Sequence, residues 1–470
     1  MPGDGRRGAR RAGIGIADQL LYNSSNFVLT VLVARSTSTD EFGAFALIFT
    51  TWIICNSTCR GLTSETLVVR YSASSMADWR RGASDGAGAS AALGMGIGAI
   101  IVAASFVIGG SMASAALVIG ILLPGMFVQD FLRFAALSAA RPVAALLSDL
   151  AVTVAQFGAV ATLIVLNLDS VPSLVAAWGG AGWVGAIVGA ALLRIRPNPA
   201  RAKSWFRREH DLATKYALDD LASNGGQQAP AYVVAAVSGL SGAGALRGAQ
   251  SVFGPPSIFN LGVNAAVTPE LVRVLKQSSR QLARYVALVA LGSCLIGLGW
   301  GIGAQLVPNS VGRSLYGSTW ALSHPLLIYF TVNQAANGVR VGGTAGLRAL
   351  GAANRTLVAR LISISLAVTF ATSGAILGGP KGVAIGIMSA SILTSAAYWW
   401  QFRLALDDHR RAIIVKRHQE AWERLVESAP AQAESPLTDL GWGLEDEMVD
   451  HIQQRFPGET AAQHRSTHTG

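Results

Sequence analysis

The chain has 470 residues, 51% of them apolar and only 14% charged, against about 25% charged in a soluble domain. Together with a mean hydropathy of +0.42, this excludes an ordinary soluble protein, whose helices need charged faces throughout. The net charge of +10 is not the footprint of a nucleic-acid binder, because the basic residues collect in loops between apolar runs.

Residues 1–13 form a basic arm carrying Arg6, Arg7, Arg10 and Arg11. The segment that follows reads as a retained first helix rather than a cleaved signal peptide. Its apolar run is interrupted by Asp18, Gln19, Asn23 and Asn26, and a second span comes directly after it. A bilayer crossing needs about twenty residues, and that ruler places six spans near 14–35, 42–62, 88–109, 112–135, 143–166 and 173–193. Six more fall near 213–238, 245–267, 284–306, 321–341, 357–378 and 382–401. The stretch from Ala91 to Met126 has no charge at all, as a hydrocarbon solvent demands. Between the sets lies a basic connector, 195–212, predicted as an amphipathic helix at the membrane surface. The tail, 402–470, divides into a charged helix over 403–427 and an aperiodic remainder, read as disordered, in which Glu445-Asp446-Glu447 is a solvated face. Cys55, Cys59 and Cys294 lie inside spans and read as small core residues, with neither disulfide nor metal spacing.

Orientation follows from the basic residues. With the N-terminus in the cytoplasm, only Arg35, Arg313 and Lys381 fall in outer loops. The arm and the inner loops hold Arg60, Arg70, Arg80, Arg81, Arg133, Arg141 and their counterparts in the second half. Losing or adding one span would scramble that alternation, so the count is even and both ends are inside.

The two halves also repeat. Leu137-Ser-Ala-Ala-Arg141-Pro matches Leu350-Gly-Ala-Ala-Asn-Arg355, each preceded by Leu-Arg, and Phe27 to Ala46 runs in loose register with Tyr232 to Leu246. The chain is therefore predicted as an all-α polytopic protein of two pseudo-symmetric six-helix lobes, 14–194 and 213–401, repeated in parallel.

Polar residues inside spans are costly and face protein or a watery cavity. They fall on the first span (Asp18, Asn26), the second (Asn56, Arg60), the seventh (Asp219, Asp220), the eighth (Arg247, Gln250) and the tenth (Asn333, Asn337, Arg340). Any one of them has a structural reading, as helix glue or a snorkelling cation; Gln129, Asp130 and Arg133 read as a local ion pair. As a set they predict a hydrated cavity at the lobe interface. Gly225-Gly226 and Pro230 break the seventh span and Gly254-Pro255-Pro256 the eighth, with Pro124-Gly125 a milder case in the fourth. Neither GxxxxGK[ST] nor HExxH occurs, so the chain carries no phosphate loop of its own and no zincin motif.

The segments DQLLYNSSNFVLTVLVARSTSTDEFGAFALIFT (18–50), QDFLRFAALSAARPVAALLSDL (129–150) and GALRGAQSVFGPPSIFNLGVNAAVTPELVR (244–273) resemble the multidrug/oligosaccharidyl-lipid/polysaccharide exporter superfamily, in its polysaccharide-biosynthesis or O-antigen-flippase branch. The resemblance covers residues 14–401. It implies a MATE-like, V-shaped pair of lobes in the bacterial inner membrane. The cargo it implies is an undecaprenyl-linked oligosaccharide or polysaccharide precursor, with glycan-assembly enzymes as partners and no cofactor. On that reading Arg60, Arg247 and Arg340 meet phosphates. Asn26, Asn56, Gln250, Asn333 and Asn337 bond sugar hydroxyls, and Asp18, Asp219 or Asp220 takes a coupling H⁺ or Na⁺. The alternatives are a cation-coupled multidrug exporter of the same superfamily, a membrane glycan polymerase or ligase, and a non-transporting scaffold. The short outer loop at 307–320 disfavours the enzyme.

Overall fold

The computed structural model describes residues 2–428, which contain no strand. The acidic triplet and the rest of the tail from 429 lie outside the described residues. The chain up to Asp407 is one compact unit. The described part of the second, from Asp408, is helical with an i,i+4 contact between Lys416 and Glu420.

Six helices come first: α1 (Pro2–Ser36), α2 (Thr39–Tyr71), α3 (Met76–Ser105), α4 (Gly110–Ser138), α5 (Pro142–Val165) and α6 (Val171–Leu193). Serines start several of them by accepting from orphan backbone N–H groups. Ser38 forms a capping box with Glu41, and Ser75 accepts from the amide of Asp78 at 3.2 Å. A helical run from Ala202 to Val252 is then split at Gly239, whose φ of 72° only glycine adopts without strain. This gives α7 (202–238) and α8 (from 240). Helix α8 breaks at Phe253 and resumes over Gly254–Gln277. After α9 (Ser279–Gln305) and α10 (Leu327–Ala349), the run Ala353–Ser428 is broken at Gly378 and Gly379 into α11 (353–377) and α12 (from 380). Twelve long helices among the described residues agree with the predicted span count. Hydropathy alone passes eight stretches, one of them straddling α7 and α8 and one covering α11 and α12, and it misses α1, α10 and the Gly254–Gln277 part of α8. Large apolar side chains such as Ile100, Val154, Ile187 and Leu295 point outward, as lipid-facing residues do. The chain is a multi-pass, all-α membrane protein.

The repeat is visible in atomic detail. Helix α4 ends with Arg141 N–H donating to Ala136 O at 2.9 Å while Ala140 sits at φ 55°. Helix α10 ends with Ala352 N–H donating to Leu347 O at 3.1 Å while Gly351 sits at φ 66°. Both are the same left-handed C-terminal cap. Trp183 on α6 donates its indole N–H to the α4 carbonyl of Leu122 at 3.1 Å, and Trp399 on α12 donates to the α10 carbonyl of Val339 at 2.9 Å. The second sequence match proves to be the contact between the halves. Gly43 on α2 packs on the carbonyl of Leu240, and Gly244 on α8 packs on the carbonyl of Thr39. These two contacts are mirror assignments under one shift in numbering, as an approximate two-fold requires.

Within each half, small residues let backbones approach, which is how helices adhere where lipid supplies no hydrophobic drive. Gly94 and Gly98 of α3 pack on Pro124 and Gly120 of α4; Gly297 and Gly301 of α9 pack on Gln334 and Thr331 of α10. Pro124 lies within α4 without interrupting it, and it is the backbone at Pro124 that meets Gly94.

One helix is longer than its predicted crossing and one expectation needs correction. Helix α3 begins at Met76, ahead of the crossing placed near 88–109, and buries Trp79. The connector 195–212 is not simply a surface helix. Its helical part opens α7, and its apolar stripe is used within the protein: Trp205 is fully buried and donates to Leu62 O at 3.2 Å. Arg70 fastens it with bonds of 2.7 Å to Glu209 and 2.6 Å to Asp211. Against a desolvation that would raise it, the Arg70 guanidinium holds the Asp211 carboxyl below its ordinary value. Removing Trp205 (Trp205→Ala) is expected to cost about 3–5 kcal/mol, read as a lower midpoint of thermal unfolding.

Candidate functional site

The central cavity lies where α1 and α2 of the first half meet α7 and α8 of the second. It has a volume of about 380 Å³, and its walls carry Asn26, Asn56, Arg60, Asn224, Arg247 and Gln250. Five of the predicted site residues thus come together. Tyr22, Phe27, Phe49 and Trp52 supply an aromatic side, and no carboxylate lines the cavity among the described residues. Local helix irregularities shape it. Arg60 opens a π turn (Arg60–Glu65) in α2, and Asn224 lies in a second π turn (Leu221–Gly225) in α7. Such turns insert an extra residue and re-aim side chains, and they recur at functional sites. The break in α8 at Phe253–Gly254 sits beside Phe27. The glycines and prolines of the sequence therefore mark the cavity, although the π turn ends at Gly225 and Pro230 remains within helix.

The two arginines differ. Arg60 makes a paired contact with Asp130, Nε to Oδ2 at 2.6 Å, so it is anchored across to α4 rather than snorkelling. Arg247 has no carboxylate partner among the described residues. Its guanidinium lies 4.5 Å from the Phe49 ring centroid, and its buried Nε has no hydrogen-bond acceptor. A guanidinium held on an aromatic face with donors unspent is suited to an anion.

Beneath this cavity the first half holds a buried ion cluster that the sequence reading assigned differently. Arg133 does not pair with Asp130. It reaches Asp18 on α1 at 2.9 Å and Asp149 on α5 at 2.9 Å, donates to Gln19 at 2.9 Å, and lies 4.6 Å from the Tyr22 ring centroid. Asp130 and Arg133 stand three residues apart on one helix, but their neighbours on α2 and on α1 and α5 offer better-placed charges. Gln129 donates to Asp149 at 2.8 Å. Counted as ionised groups, three carboxylates and two guanidinia give the cluster a formal excess of one negative charge. Asp149 was missed, although a lone aspartate inside the apolar fifth span was a usable signal.

Asp219 and Asp220 lie midway along α7, directly before its π turn, and belong to neither the ion cluster nor the central cavity. Asp219 pairs with Arg360 of α11 at 2.9 Å, with both side chains about half exposed. Asp220 keeps one buried, unpartnered carboxylate oxygen. Asn333, Asn337 and Arg340 are not in the central cavity either. They line a second one, of about 480 Å³, walled mainly by α10, α11 and α12 together with Pro230 of α7 and Gln250 of α8. The tenth span therefore does not share the central interface as predicted; Gln250 alone of the predicted residues lines both cavities.

No family model matches the sequence, and no curated protein matches it. Solved structures do match. An inward-facing multidrug resistance MATE family transporter of the MOP superfamily aligns with TM-score 0.62 at 16% identity, over 84% of this chain and 96% of that one. The lipid II flippase MurJ, in an inward closed conformation, aligns with TM-score 0.60 at 11% identity, over 85% and 91%. A MATE structure in complex with MaD3S aligns with TM-score 0.55 at 15% identity, over 86% and 96%. Twelve long helices among the described residues, in two equivalent halves and aligned over nearly the whole of each of these structures, give this chain the fold that the MATE transporters and MurJ share.

Proposed function

We propose that the protein is a secondary transporter that moves a lipid-linked, diphosphate-bearing glycan across the bacterial inner membrane, with its basic face and both termini in the cytoplasm. The observation that supports this reading most is the character of the central cavity: two guanidinia, amide and hydroxyl groups, and no acidic wall. A sugar diphosphate would place its charge at Arg247 and Arg60 and its hydroxyls against Asn26, Asn56 and Gln250, while the lipid tail stays in the bilayer. The excess negative charge around Asp18, Arg133 and Asp149 suits an H⁺ or Na⁺ taken up during the cycle. The aromatic side of the cavity favours a second reading, export of an apolar drug, but a cationic drug would want a carboxylate there.

Arg247 is the cleaner test, because its removal orphans no carboxylate, whereas removing Arg60 strands Asp130. In vesicles containing a fluorescent undecaprenyl-diphosphate oligosaccharide, Arg247→Gln is expected to slow flipping by roughly tenfold or more, the value of about one charge-assisted hydrogen bond. Arg247→Lys should retain part of the activity. Unchanged flipping in Arg247→Gln, with loss of drug efflux instead, would overturn the proposal in favour of the second reading.

A further inference from the structure

The second cavity carries an excess of positive charge that the proposed transport of a diphosphate does not use. Arg340 and Arg348 project from α10 and Arg360 from α11. Only Arg360 has a carboxylate partner, Asp219; Arg340 and Arg348 have none among the described residues. Arg340 donates Nε and Nη2 to Asn337 Oδ1 at 3.3 and 3.2 Å. Asn337 in turn donates to Asn333 Oδ1 at 3.3 Å, and Ser391 of α12 donates to that same oxygen. Each amide oxygen in this chain is thus already satisfied from inside the protein. Left to face the cavity are the unspent amide N–H groups of Asn333 and Asn337 and the remaining donors of Arg340, whose guanidinium lies 5.8 Å from the Tyr398 ring centroid. A pocket of donors with net positive charge selects an acceptor-rich anion.

We infer that this cavity binds a carboxylate or phosphate carried on the sugar part of the cargo, so that the transported glycan is acidic beyond its diphosphate. The inference rests on the transporter reading. Gln250 lines both cavities, so a glycan extending from a diphosphate at Arg247 passes that residue to reach Arg340. The guanidinia then read charge, and Ser363, Ser391 and Thr394 supply hydroxyl partners for the sugar ring. The same anion chemistry could be met by the headgroup of an anionic phospholipid, and the test separates the two sources.

The purified full chain in phosphatidylcholine nanodiscs is titrated calorimetrically with a glucuronate-containing tetrasaccharide and with its carboxyl-reduced, neutral counterpart. The acidic saccharide is expected to bind at least about tenfold more tightly. Arg348→Gln, at an exposed position without a carboxylate partner among the described residues, and Arg340→Gln should each remove about tenfold of that preference, whereas Arg273→Gln, an exposed arginine that lines neither cavity, should leave it intact. Equal binding of the two saccharides, binding of neither, or acidic binding indifferent to both substitutions would overturn the inference. So would Arg340-dependent binding of phosphatidylglycerol without saccharide binding, which would make the cavity a lipid-headgroup site. Failure of the transporter reading itself would show separately, as diphosphate-lipid flipping indifferent to Arg247→Gln.

Discussion

Replacing Gly43 by alanine will destabilise the protein by at least about 1–3 kcal/mol, the usual cost of forcing an extra methyl into a filled contact. The reason is local and severe. A Cβ at Gly43 overlaps the carbonyl oxygen of Leu240, and the backbone carbon of that carbonyl stands at 2.6 Å. A backbone cannot rotate away as a long side chain can, so α2 and α8 would have to separate. Gly244→Ala should behave alike, because it is the partner position of the same crossing and meets the carbonyl of Thr39. Gly96→Ala serves as the control: nothing lies within 4 Å of a Cβ there, and alanine favours helix over glycine. The measurement is the midpoint of thermal unfolding of the purified protein. If Gly43→Ala and Gly244→Ala leave it unchanged, the two-fold contact between the halves does not hold them together.

Arg133→Met is expected to cost more, about 3–5 kcal/mol, the loss typical when one partner of a buried ion pair is removed. Asp18 and Asp149 would both stay buried within reach of no other paired cation, since Arg60 is committed to Asp130. Desolvation, not the lost Coulomb attraction, is the larger part of that penalty. Neutralising the acids in the same chain (Arg133→Met with Asp18→Asn and Asp149→Asn) should recover much of the loss, because apolar and neutral groups of similar volume are tolerated where orphaned charges are not. Arg360→Met gives the contrast. It breaks the half-exposed pair with Asp219 and is expected to cost no more than about 1 kcal/mol. Monodisperse yield and unfolding temperature read all three. A triple variant no better than Arg133→Met alone would mean that the arginine acts through packing on Tyr22 rather than through its charge.

The architecture was largely legible because the solvent is simple. Lipid penalises every unpaired charge and unsatisfied backbone group, so apolar length, basic loops and helix breakers each leave a mark on the sequence. The breakers were read correctly at Gly225 and Gly254, where α7 and α8 depart from regular helix, and the repeat at 132–147 and 347–361 contains one shared helix cap. The polar residues were also found, but not their grouping. Asn333, Asn337 and Arg340 have the same composition as the residues of the central cavity, and helix spacing does not say which neighbour a polar face will meet. Nor does it say that Arg133 will turn away from Asp130. Arg348 and Arg360 were counted as loop charges, because a residue near a helix end looks the same whether it faces water or a cavity.

The amino-acid sequence by itself determined the number of long helices and the duplicated halves, since these follow from one-dimensional patterns of hydrophobicity and charge. Only the tertiary structure decided which charges neutralise one another, that Arg247 is left without an acid, and that the polar residues divide between two cavities. Those outcomes depend on distances of a few ångströms between helices far apart in the chain, and burial makes those distances decisive by removing the water that would otherwise screen them.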